Sequence, residues 1–170
     1  MKNKKRFVTA IVVMAVILLF LSLIMPGGKF LTIRDRSGTL YFETSVHPGE
    51  LVSLEYTHSV ELVQIVDNLI VQADGSLLLI NETFDSSGYG IPSEAFYNIT
   101  VENGNFTRND INQRFEGVNM MTNNLTRQYL TVEGEKYPIY SLLPEAKHLF
   151  LSVEHYTLAE TVFNKIKGHI

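Results

Sequence analysis

The 170-residue chain has no cysteine, no tryptophan and only five prolines. Without cysteine there is no disulfide framework, no thiolate-held zinc or iron–sulfur site and no cysteine nucleophile. Gly-x-Ser-x-Gly, a Gly-Lys-Ser/Thr phosphate loop and His-x-x-x-His are all missing, so no hydrolase elbow, P-loop or helical zinc motif is encoded. Positive charge is scarce beyond the N-terminus. Four of the 14 Lys and Arg residues lie in the first six positions, and the ten that remain face all 18 acids, leaving residues 26–170 with a formal charge of −8. A nucleic-acid partner, which needs a basic footprint, is therefore not expected. Apolar content of 45% excludes disorder as the main state.

What is present begins with one uncharged apolar run, Phe7 to Met25. Nineteen residues at ~1.5 Å each span about 28 Å, against a hydrocarbon core of about 30 Å. A cleaved signal peptide has a shorter apolar region, about 7–15 residues, and small residues in an A-x-A spacing. No such pair occurs around Ser22 to Pro26. The expectation is a retained single-pass anchor in the cytoplasmic membrane. The basic flank, residues 1–6, stays inside by the positive-inside rule and the C-terminal domain stands outside. Residues 7–25 are the transmembrane anchor, Pro26-Gly27-Gly28 (26–28) a hinge, 29–156 an extracytoplasmic domain and 157–170 a C-terminal tail.

Within 29–156 long helical periodicity is absent. Short runs of β-formers alternate with turn residues: Phe30–Arg34, Thr39–Thr44, Leu51–Thr57, Leu62–Gln72, Leu77–Glu82, Tyr97–Glu102, Phe106–Arg108, Gln128–Val132, Lys136–Tyr140 and His148–His155. Asp74-Gly75 and Asn103-Gly104 suit hairpin turns. The predicted fold is all-β, an antiparallel sandwich or partly open barrel, with one N-terminal transmembrane helix and a short C-terminal helix. That last helix is marked by a capping box, Thr157 with Glu160, and by Leu158, Val162, Phe163 and Ile166 on one face, with Gly168 ending it. The polar stretch Asn109–Asn124 reads as a long loop. Asn-x-Thr acceptor sites for glycosylation occur at Asn81, Asn98, Asn105 and Asn124.

Two segments are distinctive. Tyr56-Thr57-His58-Ser59-Val60-Glu61 closes a predicted strand, with Asp67 following. Alternation puts Leu54, Tyr56 and His58 on one face and Ser59 on the other. His58 either satisfies a neighbouring polar group or forms a site with Ser59, Glu61 and Asp67. A Ser–His–carboxylate triad would need a sharp bend between adjacent residues, so no catalytic role is expected. His58, Glu61, Asp67 and Glu82 offer metal ligands without a diagnostic spacing, and no cofactor is implied. The second segment, Phe84 to Pro92, carries Ser86, Gly88, Gly90 and Pro92. It is either a structural turn or a nest of backbone amides that holds a carboxylate or a partner segment. The predicted hairpin Leu62–Glu82 brings these segments to the same end of a sheet, making one candidate binding surface.

The two segments together resemble the domain-of-unknown-function (DUF) family eighteen-fifty, whose pattern is a Tyr-Thr-His-Ser-Val-Glu strand end, a later acid and Ser-x-Gly-Ala-Gly-Leu-Pro. Tyr56 through Glu61 match in full, Asp67 supplies the acid, and Ser86, Gly88, Gly90 and Pro92 match the loop. Tyr89 and Ile91 depart from it. The resemblance covers roughly residues 30–155. It implies a small membrane-anchored protein of no established activity, often encoded beside TAXI-type TRAP transporters. The implied partner is a TRAP transporter membrane subunit or solute-binding protein. The expectation is an extracytoplasmic accessory domain of such a carboxylate transporter; the alternative is an independent surface domain that binds a small ligand, metal ion or envelope component.

Overall fold

The computed structural model describes residues 2–60, 62–85, 98–123, 125–142 and 147–167. The apolar run forms helix α1, Lys2–Ile24. It is long and apolar enough to cross a membrane and none of the span Lys4–Ile24 is buried, dimensions that a membrane anchor and a signal sequence share.

The rest is mostly antiparallel β-structure in two sheets, as the alternation of β-formers and turns leads one to expect. A four-stranded sheet has the order β2 (Leu40–Val46), β1 (Pro26–Asp35), β12 (Lys147–Thr157), β9 (Gly117–Thr122). The larger sheet runs β11 (Glu135–Pro138), β10 (Tyr129–Val132), β3 (Leu51–Thr57), β4 (Gln64–Val71), β5 (Leu77–Phe84), β7 (Asn105–Asn109), β6 (Asn98–Glu102), with β8 (Gln113–Phe115) also on β5. Both sheets feed one apolar core: Leu31, Ile33, Leu149 and Leu151 from the first meet Val52, Leu54, Leu69, Val71, Leu77 and Leu130 from the second. This is a sandwich-like arrangement. A 3₁₀ turn, Ile139–Leu142, plugs the core with Ile139.

Three expectations need correction. Residues 26–28 are not a free hinge: they begin β1, with an irregular register between Pro26 and Gly28, because β12 supplies a pairing partner for their backbone. The stretch 109–124 is not a long loop: it holds β8 and β9. β9 is fixed by pairing with β12, Val118 against Leu151 and Met120 against Leu149, so tertiary pairing overrides weak local propensity. Strand β3 stops at Thr57, so the alternation assumed for His58 and Ser59 does not reach them. Both lie in a turn closed by His58 N–H to Val63 O (2.9 Å) and Leu62 N–H to His58 O (2.9 Å).

Helix α2, Leu158–Lys167, follows β12 directly. Its capping box forms as the sequence suggests: Glu160 accepts from Thr157 N–H (2.8 Å) and Glu160 N–H points to Thr157 Oγ1 (3.3 Å). The helix is locked to the end of α1 by Leu158 N–H to Met25 O (2.8 Å). Gly27 makes this possible, since a Cβ there would lie 2.3 Å from the Thr157 carbonyl oxygen and 2.4 Å from Thr161 Oγ1.

Candidate functional site

The inner face of the larger sheet carries an unusual row. Direct cross-strand neighbours are Leu130, Leu54, Asp67, Glu82 and Arg108, on β10, β3, β4, β5 and β7. The next row, Tyr56, Ile65, Phe84 and Phe106, is apolar apart from the Tyr56 hydroxyl, and Phe84 and Phe106 stack with centroids 5.8 Å apart. A bulge makes this possible. Asn68 pairs with Asn81 but Leu69 pairs with Leu79, so Ile80 is skipped, and its carbonyl accepts from Ile111 N–H (3.2 Å). Strict alternation from Leu77 and Leu79 would turn Glu82 outward; the extra residue flips it inward.

The row is a coupled charge system. Arg108 Nη2 stands 2.8 Å from Glu82 Oε2, and both side chains are largely buried. Burial, then the Glu82 charge, pushes the Asp67 carboxyl up to about 7; the Tyr56 hydroxyl bond and Arg108 pull the other way. Burial also raises Glu82, with Arg108 the largest opposing influence. The two carboxyls also act directly on each other, raising Asp67 and lowering Glu82. Burial and the Glu82 charge thus favour the proton on Asp67, and Arg108 favours the charge on Glu82.

Asp67 also forms part of the wall of two cavities between the sheets, of about 230 and 250 Å³, which share Asp67, Val118 and Asn119. The smaller one is completed by Leu54, Tyr56 and Gln128 among others. Gln128 is 5% exposed. Its Nε2 donates to Met121 O at 2.7 Å, which fixes the amide and leaves Oε1 buried without a hydrogen-bond partner; Asp67 Oδ1 is likewise buried and unpartnered. Such acceptors are costly unless a donor reaches them. The site thus presents two unmatched acceptors and a hydroxyl beside a space for a few heavy atoms, below the ~300 Å³ where drug-sized pockets begin.

Of the residues singled out in the sequence, Tyr56, Asp67 and Glu82 meet here. His58 is half-buried in its turn and Ser59 is exposed. Glu61, the loop residues Ser86, Gly88, Gly90 and Pro92, and Asn124 lie outside the described residues. The loop's approach is visible as far as Asp85, whose Oδ1 accepts from Gln64 N–H at 3.1 Å, while Gln64 Nε2 donates to Thr57 Oγ1 at 3.0 Å. Of the acceptor asparagines, Asn98 and Asn105 are exposed, whereas Asn81 accepts from Asn68 Nδ2 (2.7 Å) in a ladder on the outer face that continues to Ser53. Sequence reasoning missed Arg108 and Gln128; no motif marks either. A separate group, His47, Glu50 and Glu133, brings ligand atoms within 4.8 Å of one another, short of the roughly six to eight oxygens that calcium takes.

A family model described as a domain of unknown function (DUF1850) matches residues 52–139, a span that runs from β3 to Ile139 and contains the whole charge row. No curated protein and no solved structure matches the chain.

Proposed function

We propose, for a chain that belongs to the family of domains of unknown function DUF1850, that it is a membrane-anchored outer domain acting by binding, not catalysis, and that the inter-sheet cavity at Asp67 holds a small donor-bearing ligand. One observation carries the reading: the buried, partnerless Asp67 Oδ1 and Gln128 Oε1 border one cavity. Matching them takes N–H or O–H donors, and an ammonium group would also keep Asp67 ionised. A free carboxylate, having only acceptors, is disfavoured there. The test is a melting series of the full chain in detergent at pH 8 with ethylammonium, acetamide and acetate as probes. The first two should raise the melting temperature in the wild type and not in Asp67→Leu, and acetate should not. If none of the three acts at tens of millimolar, the cavity is a hydrated void and the reading falls.

A second reading has its own support: the domain serves a TRAP-type carboxylate transporter in the same membrane. Only Met25 separates α1 from β1, and the Leu158–Met25 bond clamps the junction, so the sandwich is held within reach of membrane partners; the gene neighbourhood implied by the family resemblance favours this one. Affinity capture of the tagged chain in mild detergent should bring down transporter subunits. Their absence across several detergents would overturn it. Protease added to intact cells should digest the sandwich and spare the N-terminus; a protected C-terminus would reverse the orientation.

A further inference from the structure

Helix α2 is inside out for a soluble domain. At about 100° per residue, Leu158, Ala159, Val162, Phe163 and Ile166 fall on one side, and Thr157, Thr161 and Asn164 on the opposite side. An amphipathic helix packed on a water-soluble core turns the apolar side inward. Here Thr157, Thr161 and Asn164 are half-buried, with only the small Ala159 of the apolar side alongside them, and Thr161 Oγ1 lies against Gly27. The apolar side faces out: Val162 is 50% exposed, Phe163 56% and Ile166 79%. The apolar surface of α1 is also bare, from Phe7 to Met25 apart from half-buried Ser22. The Leu158–Met25 hydrogen bond sets the start of α2 level with the end of that surface.

We infer that α2 is an interfacial helix whose Leu158–Val162–Ile166 side is immersed in the lipid bilayer at the point where α1 leaves it. The inference rests on the reading of α1 as a retained anchor. If α1 fills the hydrocarbon core, its last residue lies at the boundary between acyl chains and headgroups, and α2 begins there. An apolar helix side at that depth is solvated by acyl chains. Lys165, exposed beside it, reaches the phosphate level by extending its stem. The polar side, turned to the sandwich, satisfies the remaining contacts. The domain is thereby attached to the membrane at two places.

The absence of cysteine gives a direct test. Single cysteines at Met14, Val162, Ile166 and Arg36 carry an environment-sensitive fluorophore in the full chain, reconstituted in phosphatidylcholine–phosphatidylglycerol vesicles. Met14 reports on α1. Arg36, at the far turn of β1, lies roughly 30 Å along the strand from Pro26 and reports on water. Labels at 162 and 166 should be quenched by lipid-borne nitroxides at shallower depth than the label at 14, and resist aqueous iodide. If 162 and 166 are quenched by iodide as fully as 36 while 14 is lipid-quenched, the anchor stands and the interfacial helix is refuted. If neither quencher reaches 162 and 166, protein covers the face, and the inference is also refuted. If 14 itself is open to iodide, the anchor reading fails and takes this one with it.

Discussion

Replacing Asp67 by Asn keeps the shape and a donor toward Glu82 but removes the ionisation. In the folded chain the Asp67 carboxyl is pushed up to about 7, against an ordinary aspartate value near ~3.9 when unfolded. A carboxyl whose folded pKa is raised contributes stability below the unfolded value and loses it as pH rises to the folded value. The window is therefore about pH 4 to 7, and at about 1.36 kcal/mol per pH unit the whole loss is about 4 kcal/mol. About 3 kcal/mol of it falls between pH 5 and pH 8. The wild type pays this and Asp67→Asn does not, so the variant should gain on the wild type across that interval. At roughly 2–4 °C per kcal/mol for a domain of this size, the relative gain is on the order of 6–12 °C in melting temperature. The assay is strand circular dichroism of the full chain in detergent, scanned at both pH values. Subtracting wild type from variant cancels the titrating groups that do not interact with Asp67; Glu82, its coupled neighbour, is not among them. A difference that is the same at pH 5 and pH 8 would refute the buried, coupled description of the row.

Arg108→Met removes the cation that keeps Glu82 ionised and should cost about 3 kcal/mol at pH 8, less at pH 5, where Glu82 can take up a proton; melting scans at both pH values read it. Thr157→Ala strips the α2 cap, about 1 kcal/mol, and should speed tryptic cleavage after Lys165 about fivefold through local opening. Gly27→Val drives a methine carbon to where 2.3 Å separates it from the Thr157 carbonyl. It should dislodge α2 and make that cleavage fast while the sheet melts within a few degrees of wild type; an unchanged cleavage rate would contradict the packing.

How much of this was legible in the sequence depended on whether local pattern or pairing made the decision. The helix over the apolar run, the antiparallel strands and the α2 cap follow from period, turn residues and a side chain three positions away, all short-range signals. β9 was illegible because, among the described residues, its sequence, Gly117–Thr122, has a partner only in β12, some thirty residues later. The charge row shows a subtler failure. Tyr56 and Asp67 were visible as motif residues, but Glu82 is turned inward by one skipped residue at Ile80, and a period-of-two reading has no way to place a bulge. Arg108 and Gln128 enter through register and turn geometry, so a pattern search passes over them.

Gln128 belongs to the turn before β10, in the larger sheet, yet its Nε2 serves Met121, on the terminal strand of the other sheet. Thr126 Oγ1 adds a longer contact to the same carbonyl (3.3 Å). A terminal strand with open carbonyls is a template on which another chain can add a strand. These two side chains occupy that template at Met121, so the amide bordering the cavity also covers the sheet edge at that carbonyl. A replacement at this position that cannot donate will therefore open that carbonyl as well as alter the cavity wall. Aggregation by such a variant would report an uncovered sheet edge while the fold beneath it remained intact.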